Sequence, residues 1–406
     1  MVWTRLIPGP GPGLVAALML ITSAGCASPG VRAAGGDTQE SKGFLLFANN
    51  GKVPELEVPR LKGPDDVAPG KAGAESTGVE TWMVHTRASE QTTHSDFWRT
   101  MDVSQIDPAG GAPKPAPART LLNLMAGRTV VILVHGNNYS YEASTREALR
   151  VRDELAGGGG FTSDALFLIF DWPSERLRPG LVGDLNEKAR RSRIAGSHLA
   201  MFLREAPPET KVCLMGQSDG GRVVLTTLHL LSGAELPKFL KEPAIQLESG
   251  RSDLHMRVVT LEAAVGHHWM NPGERLQHAV GMTEGWLNLF NRFDYALAVY
   301  GLGQYTGVRS ALGRSGLRPD DLRKLGDQTC LIEQMELHSI GGLRHLIYVE
   351  ALSDPEVLQR VTRYTSWAPV PVDPGGKPSQ PSGGSVDSGG PGSDLTPIFE
   401  GMPNLR

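Results

Sequence analysis

The stretch Lys211-Val-Cys-Leu-Met-Gly-Gln-Ser-Asp-Gly-Gly-Arg-Val-Val-Leu225 decides how the rest of the chain is read. An apolar run, Val212 to Met215, meets Gly216-Gln217-Ser218-Asp219-Gly220 and passes into a helix-like stretch, Arg222 to Leu231. In a chain with 49 glycines the pattern G-x-S-x-G arises easily by chance, so its context has to carry the meaning. Here a buried strand precedes it and a helix follows. Small residues two before and two after Ser218 permit a tight reversal, which would lift the serine oxygen above a sheet and aim a helix N-terminus at it. The competing reading is an ordinary strand-to-helix turn.

The flanking sequence supports a sheet. Thr129-Val-Val-Ile-Leu-Val-His135 and Ala165-Leu-Phe-Leu-Ile-Phe170 are continuous apolar runs of the kind buried on both faces of a parallel sheet. Met256 to Leu261, Trp286 to Phe290 and Cys330 to Leu337 read as later strands, and the alternating Val79 to Thr86 as an outer one. Helical spacing marks Ala143 to Leu155, which stops at Gly157-Gly-Gly-Gly160. It also marks Asp184 to Arg204, with Ile194, Leu199 and Phe202 inward and a basic outer face. Glu274 to Val280, Tyr295 to Tyr300, Leu346 to Leu352 and Pro355 to Tyr364 fit shorter helices. Strand and helix alternate, and right-handed crossovers then give an α/β fold: a doubly wound, mainly parallel sheet with helices on both faces. Pro237 to Asp253 lacks periodicity and reads as a surface insertion or part of a cap.

The chain ends read differently. Residues 1–26 carry one arginine (Arg5), an apolar stretch from Leu14 to Ile21 and then Ser23-Ala-Gly-Cys26, the layout of an export signal. Ala-Gly-Cys also resembles the end of a bacterial lipobox, although Ser23 stands where that motif prefers Leu. Lipidation of Cys26 and ordinary signal cleavage therefore both stay open, the first slightly favoured. Residues 27–43 read as a linker, as does Pro108 to Pro117. Residues 369–406 are dense in Pro, Gly, Ser and Asp and read as a disordered tail. One large domain, residues 44–368, remains. A formal net charge of −4 without a basic run argues against a nucleic-acid partner. Cys213 and Cys330 fall in apolar strand-like runs, where a thiol is normally inert, and neither has metal-ligand spacing.

A serine hydroxyl at an elbow needs a base, an acid to orient that base, and donors for the oxyanion. In this kind of sheet they follow in the order serine, acid, histidine at the C-terminal ends of later strands. Asp294, four residues past Phe290, is the first candidate acid, and a helix N-cap is its alternative use. Glu262, closing the preceding strand, is the runner-up. His338 and His345 follow the last strand, and His345 is preferred because Gly341-Gly342 gives it a loop able to reach over the sheet edge. The oxyanion donors fall to backbone N–H groups of Asn137 or Asn138, in His135-Gly-Asn-Asn-Tyr139, and of Asp219. His135 precedes the nucleophile and reads as a scaffold residue. His267-His268 are adjacent, point apart and have no partner at ligand spacing, so no metal is expected. The Asp219 carboxylate is the unresolved feature: turned outward it caps the helix, turned inward it opposes a developing anion or favours a cationic substrate.

These stretches together resemble a family of bacterial α/β-hydrolases, often exported or lipoproteins, that read roughly V-F-V-H-G-[FY]-N, then F-x-W-P-S, then G-H-S-M-G. The matching segments are Val131-Ile-Leu-Val-His-Gly-Asn-Asn138, Phe170-Asp-Trp-Pro-Ser174 and Gly216-Gln-Ser-Asp-Gly-Gly221. Thr81 to Arg87 is similar to the family's T-x-R opening, and Asp294-Tyr-Ala-Leu297 and His345 to its later Asp and His. The resemblance spans about Val79 to Val361. It implies the α/β-hydrolase fold and a cofactor-free serine hydrolase, esterase- or lipase-like, with Ser218, His345 and Asp294 as its triad. Its substrate would be a small-molecule or lipid-like acyl ester met at the cell envelope. Gln217 and Asp219 replace the family's His and Met, and Asn137 stands where an aromatic is common. Those departures support a second reading, an inactive member kept as a binding or scaffolding module.

Overall fold

The computed structural model describes residues 78–89, 94–107, 112–175, 181–237, 250–251, 253–298, 300 and 310–370. The proposed signal and linker, the tail beyond residue 370 and most of the Pro237–Asp253 stretch lie outside the described residues. Nine strands form one sheet: β1 Glu80–His85, β2 Asp102–Ile106, β3 Lys114–Pro115, β4 Thr129–Val134, β5 Leu166–Asp171, β6 Lys211–Gln217, β7 His255–Leu261, β8 Gly285–Phe290 and β9 Ile332–Glu336. Their spatial order is β3-β2-β1-β5-β4-β6-β7-β8-β9. The seven strands from β1 to β9 in that row run parallel, and β2 and β3 add an antiparallel edge.

The continuous apolar runs are central because both of their faces are covered. Val130, Ile132 and Val134 of β4 join one core, with Ile194, Leu199 and Phe202 of the helix Leu181–Arg204 and with Val223, Val224 and Leu228 of the helix Asp219–Leu231. Val131 and Leu133 point the other way, into a second core with Ala148, Val151 and Leu155 of the helix Tyr141–Gly157 and Val357 and Val361 of the helix Pro355–Thr365. This is the period-two alternation of a strand sandwiched between helical layers. Among the described residues no helix is long and apolar enough to cross a membrane.

Several sequence expectations need correction. β1 is not an outer strand: it pairs with both β2 and β5, and Thr81 to Val84 are buried. The linker-like Pro108–Pro117 stretch contains β3, which pairs with β2. Glu274 to Val280 forms successive turns that lead into a short 3-10 helix, Val280–Met282. Cys330 sits half-buried in a 3-10 turn ahead of β9, whereas Cys213 is buried in β6 as expected. The basic face of the Leu181–Arg204 helix is turned inward, with Lys188, Arg191 and Arg193 all buried. Lys188 pairs with Asp184 at 2.7 Å and Arg191 with Glu187 at 3.3 Å, so the one-turn spacing of acid and base lets these cations leave water.

The C-terminal ends of β1, β4 and β5 are fastened by the fully buried carboxylate of Asp171. His85 Nδ1 lies 2.5 Å from its Oδ2, Arg87 donates through Nε and Nη2 at 2.7 Å each, and Ser144 Oγ donates at 2.8 Å. His135 Nε2 stands 3.1 Å away. Burial alone would raise this carboxyl's pKa, but the donors from His135, His85 and Arg87 outweigh it and hold Asp171 far below the usual carboxylate range. Replacing Asp171 by Ala leaves Arg87 without its bidentate partner and should cost about 3–5 kcal/mol in denaturant unfolding. Because the folded pKa is depressed, the charge contributes its stability above the unfolded value of about 4 and loses it progressively below. The stability curves of the wild type and Asp171→Asn should therefore converge as pH falls below about 4.

Candidate active site

The strand β6 ends at Gln217, and Ser218 turns the chain directly into the helix Asp219–Leu231 with φ +54 and ψ −119. A non-glycine residue rarely holds such a conformation, and here the surroundings enforce it. The Ser218 N–H donates to Leu261 O at 2.9 Å, and its carbonyl accepts from Gly221 N at 3.0 Å and Ala264 N at 2.9 Å. The flanking glycines are required by contact: a Cβ at Gly216 would stand 2.6 Å from Gly220 O, and one at Gly220 2.3 Å from Val134 O. The helix start therefore passes against the end of β4 with no room for a side chain.

That closeness brings in the turn after β4. A Cβ at Gly136 would lie 3.2 Å from Ser218 Cβ, so the turn faces the serine. The N–H groups of Asn137 and Asp219 have no hydrogen-bond partner among the described residues, whereas the N–H of Asn138 donates to Ser174 O at 2.9 Å. Of the three candidate oxyanion donors, Asn138 is therefore set apart, because its amide is already engaged. Its side chain instead accepts from Lys188 Nζ. The Trp172-Pro-Ser174 segment is the floor beneath this turn. Trp172 stacks on His135 with the rings 5.7 Å apart, its indole N–H donates to His135 O at 2.8 Å, and Ser174 Oγ accepts from Tyr139 N at 3.2 Å. His135 is the buried scaffold residue that its chain position suggested.

Asp219 turns neither outward nor toward an open site. Its carboxylate pairs with Arg222 at 2.7 Å and accepts the side-chain amide of Asn137, and the residue is 4 % exposed. One turn of helix supplies the countercharge, so the acid beside the serine does not present a free negative charge. Arg222 is anchored in turn on Ala264 O at 2.5 Å.

The acid and base loops meet at the ends of β8 and β9. His345 Nδ1 lies 2.5 Å from Asp294 Oδ2 and 2.9 Å from Glu262 Oε2. Asp294 also fills its alternative role, because its Oδ1 caps the short helix Tyr295–Ala298 through Ala296 N at 2.8 Å and Leu297 N at 3.0 Å. One oxygen caps and the other binds the ring. The His345 loop is clamped to the acid loop by Asn291 Nδ2, which donates to Gly342 O at 3.1 Å and Arg344 O at 3.0 Å. His338 stays at the surface, 3.4 Å from Glu336 and half-exposed, edge-on to Phe293.

Ser218 Oγ and His345 Nε2 have no hydrogen-bond partner among the described residues, so the structure joins His345 to Asp294 and not to Ser218. The two are nevertheless held by adjoining residues. Gln217 Nε2 donates to Leu346 O at 3.0 Å, while its Oε1 accepts from Gly136 N at 3.2 Å. One amide thus ties Ser218's neighbour to His345's neighbour and to the turn after β4. The sequence marked Gln217 only as a departure, and its bridging role had no local signal. Nucleophile–base bonds are often long or absent without substrate.

The electrostatics agree with a base–acid pair. Burial opposes the Asp294 charge, but His345 outweighs it and holds this carboxyl below its ordinary range. For His345, burial would lower the pKa, yet the charges and hydrogen bonds of Asp294 and Glu262 raise it well above the ordinary value. Glu262, Asp294 and His345 offer atoms within 4.8 Å of one another, the one set among the described residues with donors grouped as for a metal ion. Their mutual hydrogen bonds account for that grouping. At the pair His267-His268, His267 Nδ1 bonds Asp321 at 2.6 Å.

Comparison with a family model agrees at the level of fold. A family model described as an alpha/beta hydrolase of unknown function (DUF900) matches residues 117–246, which carry the turn after β4, Trp172-Pro-Ser174 and the elbow. Esterase B from Lactobacillus rhamnosis, solved as a C6-C4 SN3 inhibited form, is 11 % identical with a TM-score of 0.37 over 71 % of this chain and 86 % of that one. The same esterase with a C4-C4 SN3 tributyrin phosphonate is 11 % identical with a TM-score of 0.34, over 71 % and 85 %. No curated protein matches the chain. With its mainly parallel sheet, its elbow after β6 and helices on both faces, the chain has the α/β-hydrolase fold.

Proposed function

We propose that this protein is a serine hydrolase that cleaves a carboxylic ester or related acyl bond. The observation that carries the reading is the 2.5 Å contact of His345 Nδ1 with Asp294, on loops tied through Gln217 to the elbow that bears Ser218. Ser218 Oγ attacks the acyl carbon while His345 Nε2 takes its proton, and Nδ1–H stays on Asp294. The N–H groups of Asn137 and Asp219 receive the oxyanion. His345 then returns the proton to the leaving group, and water resolves the acyl-enzyme by the same route. No cofactor enters these steps. The paired Asp219 carboxylate removes the main objection to an acid at that position, which weighs against the scaffolding alternative.

Two measurements test the reading. A fluorophosphonate probe should label the wild type and not Ser218→Ala, whose hydrolysis of p-nitrophenyl butyrate should fall by at least ~10³-fold. Labelling that survives in Ser218→Ala would remove the assignment. Since the base must be neutral to act and its pKa is raised, the acidic limb of kcat/KM should lie above the ordinary histidine value of about 6.5.

We further propose that the protein is exported and held at the cell envelope through a lipidated Cys26, where lipid-like acyl substrates would be met. The support is the Leu14–Cys26 sequence pattern. The full chain expressed in a bacterium should partition into the detergent phase, and Cys26→Ser should move it to the aqueous phase. Equal partition of the two would leave only simple signal cleavage.

A further inference from the structure

Asp294 alone is enough to orient His345, yet a second carboxyl is built against the same nitrogen. Glu262 follows β7 directly, is fully buried and holds a positive φ of +46, unusual for a side chain of its size. Its backbone is confined on both sides. Its N–H donates to Leu289 O at 2.8 Å, and Gly313 lies so close that a Cβ there would stand 2.0 Å from the Glu262 carbonyl carbon. The side chain reaches into the loop that carries the base. Oε2 accepts from Leu346 N at 2.7 Å and lies 2.9 Å from His345 Nδ1, while Oε1 is buried without a hydrogen-bond partner.

One imidazole N–H cannot satisfy two ionised carboxylates in a dry site. Like charges at this separation raise the pKa of one member, and the pair titrates as a unit. The titratable groups acting on Glu262 are His345 and Asp294. Burial first, with the Asp294 charge adding to it, pushes the Glu262 carboxyl up to about 7 against the pull of His345. Asp294 keeps its charge. As pH rises through neutrality Glu262 therefore gains a negative charge beside the one that Asp294 already carries.

We propose that Glu262 is a second acid for His345, a positioning residue that shares the ring's Nδ1–H with Asp294 and takes over from it when Asp294 is lost. This rests on the assignment of Ser218 and His345 as nucleophile and base. In the acylation step the proton leaves Ser218 Oγ for His345 Nε2 and Nδ1–H stays where it is. The imidazolium so formed faces the shared charge, and no proton passes to either carboxyl. A purely architectural Glu262 would hold Leu346 N and do nothing more.

The test is p-nitrophenyl butyrate hydrolysis across pH by the full chain, its Glu262→Gln and Asp294→Asn variants, and the double variant. Gln keeps an acceptor for Leu346 N, so Glu262→Gln should fold. It should lower kcat several-fold with KM little changed, and move the acidic limb of kcat/KM to lower pH. Asp294→Asn should lose only ~10- to 100-fold, short of the ~10⁴-fold loss seen where a triad has one acid. The double variant should lose a further ~100-fold. A wild-type pH profile in Glu262→Gln, or a double variant no worse than Asp294→Asn, would overturn the proposal. If Glu262→Gln does not fold, Asp294→Asn decides alone: a loss near 10⁴-fold overturns the shared role. Fluorophosphonate labelling of the wild type, measured alongside, separates this outcome from failure of the Ser218 assignment itself.

Discussion

A carboxylate taken out of water must be given donors or a proton, because burying it bare costs far more than a fold can spare. Four acids stand buried along one edge of this sheet: Asp171 at the end of β5, Asp219 after β6, Glu262 after β7 and Asp294 after β8. Each has gathered at least one partner from a segment distant in sequence, and Asp219 and Asp294 add partners from their own helices. Asp171 draws on the ends of β1 and β4, Asp219 on the turn after β4 and its own helix, and Glu262 and Asp294 on the loop after β9. The loops at this edge are therefore fixed by the acids they must satisfy.

The same constraint explains how an acid can stand next to the proposed nucleophile. The Asp219 carboxylate takes the Asn137 side chain and Arg222, which leaves the backbone N–H groups of both Asn137 and Asp219 open. The two residues that would receive an oxyanion are thus locked to each other through their side chains. Lys188 and Arg191 act one layer further out, on Asn138 Oδ1 and Pro173 O, and keep the turn and its floor together. A site rigid before substrate arrives loses little in reorganisation when charge develops.

What the sequence made legible was what is encoded locally. β4 to β8 announce themselves through runs buried on both faces, and the elbow through small residues at contacts that exclude a side chain. Chain order was enough to bring Asp294 and His345 forward, and the loop after Gly341-Gly342 separated His345 from His338. The Asp171 hub stayed hidden because its ties to His85 and Arg87 cross more than 80 residues of sequence, and such pairing leaves no period. The inward basic face of the Leu181–Arg204 helix was misread for a related reason. Charge predicts a solvated face only when no partner waits inside, and Asp184, Asn138 and Pro173 O wait there. β3 was missed because two residues pairing at an edge need no strand-like composition.

Gln217 shows how a departure from a family pattern can be coherent in chemistry. The position needs one donor for Leu346 O and one acceptor for Gly136 N, and a neutral imidazole could in principle provide both. Protonation would turn the acceptor nitrogen into a donor and break the link to the oxyanion turn. A primary amide offers the same two functions and does not titrate. With Gln217 at that position, the link between the turn after β4 and the His345 loop does not titrate, while the shifted groups nearby are Glu262, Asp294 and His345.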